Sequence, residues 1–202
     1  MMLLALELIG VVAFAASGAL AAVHARLDLF GVAVLATTTG LGGGIMRDVL
    51  LGIHPPMTLR TWQFLTVCAV TALVVFFFHP QVARLRRPVL VADAVGLGVF
   101  ATSGTAIALD AQAPVYTACL IGMTTGIGGG AARDLLLREI PVVLRREIYA
   151  LAALVGAVVV GVGHALQLPQ GPVTVVAAAL VIAVRLLALW RKWHAPVPRK
   201  PD

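Results

Sequence analysis

Seven apolar runs separated by short polar connections account for most of the chain. The first covers about Met1 to Val23, interrupted only by Glu7; the second about Leu29 to Ile53; the third about Trp62 to Phe78. The fourth spans about Val89 to Leu109, with Asp93 early in it, and Pro114 opens a fifth that reaches about Leu137. A sixth covers about Ile148 to Leu166 and a seventh about Val173 to Leu189. Such lengths approach the roughly 20 residues a helix needs to cross a bilayer. Pro55-Pro56, His79-Pro80 and the Leu168-Pro169-Gln170-Gly171-Pro172 turn mark the boundaries. Proline lacks the amide donor of a helix interior and disfavours helix in the residue before it. The alanine-rich end of the first run resembles a cleaved leader, but no basic segment precedes it. The pattern predicts an all-α integral membrane protein of seven transmembrane helices, with a single transmembrane domain over 1–190 and a basic tail over 191–202.

Composition strengthens this reading. Soluble domains carry about 25% charged and 45–50% apolar residues, whereas this chain has 12% and 60%, with a mean hydropathy of +1.00. The net charge of +6 is gathered in connections, not along an exposed face: Arg26; Arg84, Arg86 and Arg87; Arg138, Arg145 and Arg146; and Arg191, Lys192, Arg199 and Lys200 in the tail. That placement is topology signal and contact with anionic lipid, not nucleic-acid binding. The alternate connections hold little beyond Arg60, so the positive-inside rule sets the C-terminus in the cytoplasm and the N-terminus outside. Trp62, Tyr149, Trp190 and Trp193 fall at span ends, as interfacial aromatic residues do. Cys68 and Cys119 sit in apolar runs without disulfide or metal spacing, and no cofactor is implied. No nucleophile–base pair recurs, and the glycine-rich stretches lack the lysine of a phosphate-binding loop, so an enzyme is not expected.

The chain also repeats itself. Thr38-Thr39-Gly40-Leu41-Gly42-Gly43-Gly44-Ile45-Met46-Arg47-Asp48 returns 86 positions later as Thr124-Thr125-Gly126-Ile127-Gly128-Gly129-Gly130-Ala131-Ala132-Arg133-Asp134. Without gaps, 19 of 54 positions from Glu7 to Arg60 match their counterparts from Asp93 to Arg146. These include Gly10 on Gly96, Phe14 on Phe100, Ser17-Gly18 on Ser103-Gly104, Pro55 on Pro141 and Arg60 on Arg146, while Glu7 falls on Asp93. This is an internal duplication. Repeat one covers about 5–79 and repeat two about 89–166, with helix seven (about 173–190) left over. Three helices per unit is an odd number, so the two repeats enter the membrane with inverted topology. Three glycines in a row each cost roughly 1 kcal/mol relative to alanine in a helix, so the second and fifth helices are expected to be broken at Gly-Gly-Gly. An Arg-Asp pair beside each break places charge near membrane depth, where it usually marks a permeation pathway; the competing reading is a pair that only locks the fold.

Two copies of Gly-Gly-Gly-x-x-Arg-Asp in a three-plus-three-plus-one plan resemble the prokaryotic branch of the trimeric intracellular cation (TRIC) channel family. The resemblance covers about residues 5 to 190. It implies a homotrimer in the cell inner membrane with a pore inside each protomer, formed around helices two and five and selective for monovalent cations, chiefly potassium. The lysine-bearing motif of the animal members is not reproduced here. The same bacterial group has also been labelled glycine transporter, so a carrier of a small zwitterion working by alternating access stands as the alternative. On this reading Gly42, Gly43, Gly44, Gly128, Gly129 and Gly130 are pore wall or hinge. Thr38, Thr39, Thr124 and Thr125 either offer hydroxyls to a passing ion or bond their own helix carbonyls. Arg47, Asp48, Arg133 and Asp134 set the field or gate the pathway. Glu7 and Asp93 either draw cations to the pore mouths or favour the positive ends of their helices. Ser17 and Ser103 are read as small packing residues, and lipids as further partners.

Overall fold

Left-handed backbone closes the helices at matched places in the two repeats. Arg26 (φ 58°) and its counterpart Gln112 (φ 63°) turn the first hairpin of each unit; Gly52 (φ 70°) and Arg138 (φ 58°) end the second helix of each. The structure, a computed structural model, describes residues 2–82, 86–145 and 147–191. The expectations placed on Arg84, Arg146 and the tail from Lys192 onward, including Trp193, Arg199 and Lys200, lie outside the described residues.

Among the described residues the chain forms α1 (Met2–His24), α2 (Leu29–Leu50), α3 (Met57–Arg60), α4 (Trp62–Val82), α5 (Arg86–Asp110), α6 (Val115–Leu136), α7 (Val142–Arg145), α8 (Glu147–Ala165) and α9 (Gln170–Arg191). Repeat one supplies α1 to α4 and repeat two α5 to α8. The four-residue helices α3 and α7 were not legible in the apolar pattern. Among the described residues, five helices are long and apolar enough to cross a membrane: α1, α2, α5 from Pro88, α8 from Ile148, and α9. The apolar part of α4, Trp62–Phe78, is shorter, and α6 is diluted by its threonines, glycines and Arg133-Asp134.

The expected breaks at Gly-Gly-Gly are not there. Hydrogen-bonded helix runs from Leu29 to Leu50 and from Val115 to Leu136 straight through both triplets. Low intrinsic propensity is overridden because missing side chains let neighbouring backbones touch. Nor do the prolines end α2. The amides of Gly52 and Ile53 fold back onto Val49 O and Asp48 O at 3.1 and 2.8 Å, and those of Arg138 and Glu139 do the same onto Leu135 O and Asp134 O at 3.0 and 2.8 Å.

The centre of the molecule is two-fold in character. Phe14 of α1 lies where a Cβ on Gly96 of α5 would be, and Phe100 of α5 lies 3.1 Å from the Cβ position of Gly10. The two rings stack with centroids 5.4 Å apart and an interplanar angle of 18°. When residue i of one unit meets residue j of the other and j meets i, the units are related by a two-fold axis. Both rings are at most 1% exposed, so Phe14→Ala is expected to cost about 3–5 kcal/mol. The check is a thermal-unfolding midpoint in detergent, and a loss under about 1 kcal/mol, well below that range, would show that the axis is not where stability resides.

Helix α9 breaks the symmetry. It packs on α5 and α8 of repeat two, with Ile182 and the Ala178 carbonyl 2.7 and 2.9 Å from the Cβ position of Gly98. Gln170 donates to Ala106 O at 3.0 Å. Side-chain exposure also corrects one expectation. Trp62 and Trp190 are 68% and 76% exposed, but Tyr149 is 2% exposed and is no interfacial residue.

Candidate functional site: two buried charge triads beside a glycine crossing

Helices α2 and α6 meet at their glycine triplets, and the three glycines of each have different duties. A Cβ on Gly43 would overlap the carbonyl oxygen of Thr125, and one on Gly129 would overlap that of Thr39. Again the contact is reciprocal, so the middle glycines sit on the pseudo-two-fold axis with backbone against backbone. Gly44 makes room for the Thr58 methyl at 2.6 Å, and Gly130 for the Tyr149 hydroxyl at 2.9 Å and Asp93 Oδ1 at 3.1 Å. Gly42 is the loosest, its Cβ position no closer than 3.8 Å to any neighbour. Gly128 faces Met46 Cε at 3.2 Å.

One helical turn beyond the crossing, each repeat buries a charge triad. Arg47 Nε and Nη2 donate to Asp48 Oδ1 at 2.9 and 2.8 Å, while its Nη1 pairs with Glu7 Oε1 on α1. Arg133 Nε and Nη2 donate to Asp134 Oδ1 at 2.9 and 2.8 Å, and its Nη1 to Asp93 Oδ1 on α5 at 2.8 Å. The outer aspartate oxygens also do the same work in both units. Asp48 Oδ2 accepts the Met57 amide at 2.7 Å, at the start of α3, and Asp134 Oδ2 accepts the Val142 amide at 2.9 Å, at the start of α7. These bonds revise the repeat register. After the second helix the counterpart of Pro56 is Pro141, and that of Arg60 is Arg145, each the last residue of its short helix. The second connection is therefore one residue shorter, and the ungapped pairings Pro55–Pro141 and Arg60–Arg146 do not hold.

Burial is nearly complete: Arg47 is 1% exposed, Asp48 0%, Glu7 8%, Arg133 4%, Asp134 4% and Asp93 2%. Glu7 and Asp93 thus stand in ion pairs inside the helix bundle. An isolated buried charge is very costly, and only mutual pairing with further hydrogen bonds holds these groups in place. Thr39 and Thr125, both fully buried, donate back to Leu35 O and Ile121 O at 2.6 Å. Thr124 donates to Leu120 O and Ile121 O at 2.9 Å. Thr38, Thr124 and Gly42 are half-buried, and Gly43, Gly44, Gly128, Gly129 and Gly130 are buried.

Sequence reasoning missed three residues of this site. Ser17 accepts from Arg133 Nη1 at 2.5 Å and donates to Val89 O at 3.3 Å, joining repeat one to the triad of repeat two. Tyr149 borders Asp93, and Arg185 of α9 stacks on the Tyr149 ring, 4.8 Å from its centroid and 2% exposed. A lone arginine in the middle of an apolar run was the available signal for Arg185. Tyr149 and Ser17 had none of comparable strength.

A membrane helix bundle made of two related units, each of three long helices and one four-residue helix and each burying an Arg-carboxylate triad next to a backbone-to-backbone glycine crossing, defines the class: a multi-pass membrane protein built by internal duplication. Within that class the chain belongs to the family described as Glycine transporter, which matches residues 4–80 and 90–165 and so falls on the two repeats. It is 37% identical over 195 residues to the UPF0126 inner membrane protein YadS of Escherichia coli strain K12, covering 96% of this chain and 93% of that one. A UPF0126 membrane protein of Streptomyces coelicolor is 43% identical over 197 residues, covering 97% and 90%. Among solved structures, one described for conductance through TRIC cation channels matches with a TM-score of 0.89 and 37% identity over 98% of this chain and 97% of that one. The TRIC orthologue of Rhodobacter sphaeroides matches with a TM-score of 0.89 and 35% identity over 95% and 98%.

Proposed function

We propose that this chain is a cation channel whose pathway runs within one protomer, along α2 and α6, and prefers potassium. In this reading seven helices cross the membrane in inverted three-plus-three repeats with α9 appended, as a single transmembrane domain. Three protomers associate, the C-terminus is cytoplasmic and the N-terminus outside, and anionic lipid surrounds the basic connections. The observation that carries the reading is the glycine crossing flanked by two anion-rich triads, in a fold that matches TRIC channels along its whole length. Each triad contains one arginine and two carboxylates, a formal excess of one negative charge, which favours cations over anions close to the crossing. In this reading the half-buried Thr38 and Thr124 line the pathway beside the crossing, where the carbonyls of Thr39 and Thr125 pack on Gly129 and Gly43.

The alternative, a carrier for glycine or a similar zwitterion, is favoured by the family's description. Such a site needs a cation for the substrate carboxylate and a carboxylate for its ammonium. Here both guanidinium groups are already occupied by carboxylates of the same triad, which argues for the channel. Purified protein in sealed liposomes tests both. Potassium flux that needs no co-substrate and falls in Thr38→Val and Thr124→Val, at unchanged thermal stability, is the expected result. Saturable glycine uptake without potassium leak would replace the channel by the carrier.

A further inference from the structure

Although the two triads match group for group, their links across the two-fold axis do not. Ser17 of repeat one bonds Arg133 of repeat two, so α1 is tied to the distant triad. Its counterpart Ser103 is equally buried, 0% exposed, yet its Oγ has no hydrogen-bond partner among the described residues. Ser17 and Ser103 match in the repeat, and the contacts of Phe14 with Gly96 and Phe100 with Gly10, and of Gly43 with Thr125 and Gly129 with Thr39, are reciprocal, so the two-fold relation makes Arg47 the counterpart for Ser103 of what Arg133 is for Ser17. What differs is the carboxylate between them. Asp93 leaves Arg133 Nη1 able to serve both Asp93 Oδ1, at 2.8 Å, and Ser17. Glu7 is one methylene longer and takes Arg47 Nη1 for itself. A buried hydroxyl without a partner is disfavoured and is normally explained by a strained or functional site.

We propose that Ser17 and Ser103 are alternative positioning residues of a two-state device. In the state described here the Ser17–Arg133 link is made and the Ser103–Arg47 link is open; in the other state Ser103 bonds Arg47 and Ser17 lets Arg133 go. The units on either side of the glycine crossing exchange conformations, and the unequal lengths of Glu7 and Asp93 set which state is favoured. This rests on the pathway running at the α2–α6 crossing, and it holds whichever solute moves.

The test uses full-length protein in liposomes carrying Met46→Cys or Ala132→Cys. These are matched positions flanking the crossing, and the native Cys68 and Cys119 are buried. The readout is the ratio of thiol-labelling rates at the two sites, which does not depend on ion flux. Ser17→Ala should move the ratio in one direction and Ser103→Ala in the opposite direction. Glu7→Asp, which makes the first triad like the second, should act in the direction of Ser17→Ala, and Ser103→Ala added to it should abolish that shift. Shifts of the same sign, no shift, or a Glu7→Asp effect that survives Ser103→Ala would overturn the proposal. If Ser17→Ala does not fold, the Glu7→Asp and Ser103→Ala pair decides alone. A failure of this test leaves the potassium-flux result untouched, so the two readings fall separately.

Discussion

Replacing Arg133 by methionine is expected to destabilise the protein by about 3–5 kcal/mol, the range for removing one partner of a buried ion pair. Arg133 is 4% exposed and holds two carboxylates, Asp93 and Asp134, which are themselves 2% and 4% exposed. Without the guanidinium these become neighbouring, unpaired charges in an apolar surround, and Ser17 loses its donor. Neutralising the whole group relieves that penalty, since a buried triad replaced as a unit is often near neutral. Arg133→Met combined with Asp93→Asn and Asp134→Asn should therefore recover most of the lost stability, because the amide oxygen introduced at position 134 can still accept the Val142 amide. Thermal unfolding of the parent, the single variant and the triple variant in one detergent measures this. A triple variant no more stable than the single one would show that Arg133 acts through packing, and that charge compensation is not the reason for its burial.

The second large effect separates glycines that look alike in the sequence. Gly43→Ala or Gly129→Ala drives a methyl group into a carbonyl oxygen of the opposite repeat. Backbone cannot step aside as a flexible side chain can, so overpacking of about 1–3 kcal/mol or more follows. Because the same contact joins the two units, transport should be lost even where the protein still folds. Gly42→Ala meets nothing closer than 3.8 Å and relieves a helix of one poor former, so it should fold as well as the parent or better. Purification yield, unfolding midpoint and liposome flux of the three alanine variants check the ranking. Equal behaviour of Gly42→Ala and Gly43→Ala would mean that the crossing is looser than this packing requires.

Much of this architecture was legible because membrane helices write themselves in apolar runs and a duplication writes itself in offsets. The motif at Gly42–Asp48 and its copy at Gly128–Asp134 pointed to the place where the repeats meet. Two features that the sequence did not announce have a physical reason in particular residues. Glycine propensity describes an isolated helix, whereas Gly43 and Gly129 are held helical by the contact their missing side chains permit. Glu7 and Asp93 lie 40 residues from Arg47 and Arg133, and nothing local announces such a pairing. The α3 and α7 turns escaped notice because four residues carry no periodicity. Their signal lay in aspartates whose second oxygen accepts the first amide of each turn.

Each triad draws all its members from its own repeat: Glu7, Arg47 and Asp48 from the first, Asp93, Arg133 and Asp134 from the second. During synthesis the chain emerges N-terminus first, so Arg47 reaches the insertion machinery with Glu7 already made and Asp48 following at once. An unpaired arginine at a helix centre costs about 2.5–3.5 kcal/mol on insertion scales; the first hairpin carries its own neutralisation and need not wait for the ribosome to deliver the second half. The glycine crossing, the Phe14–Phe100 stack and the Ser17–Arg133 link require both halves. Insertion can thus be completed unit by unit, leaving the docking of two finished units as the last step of biogenesis.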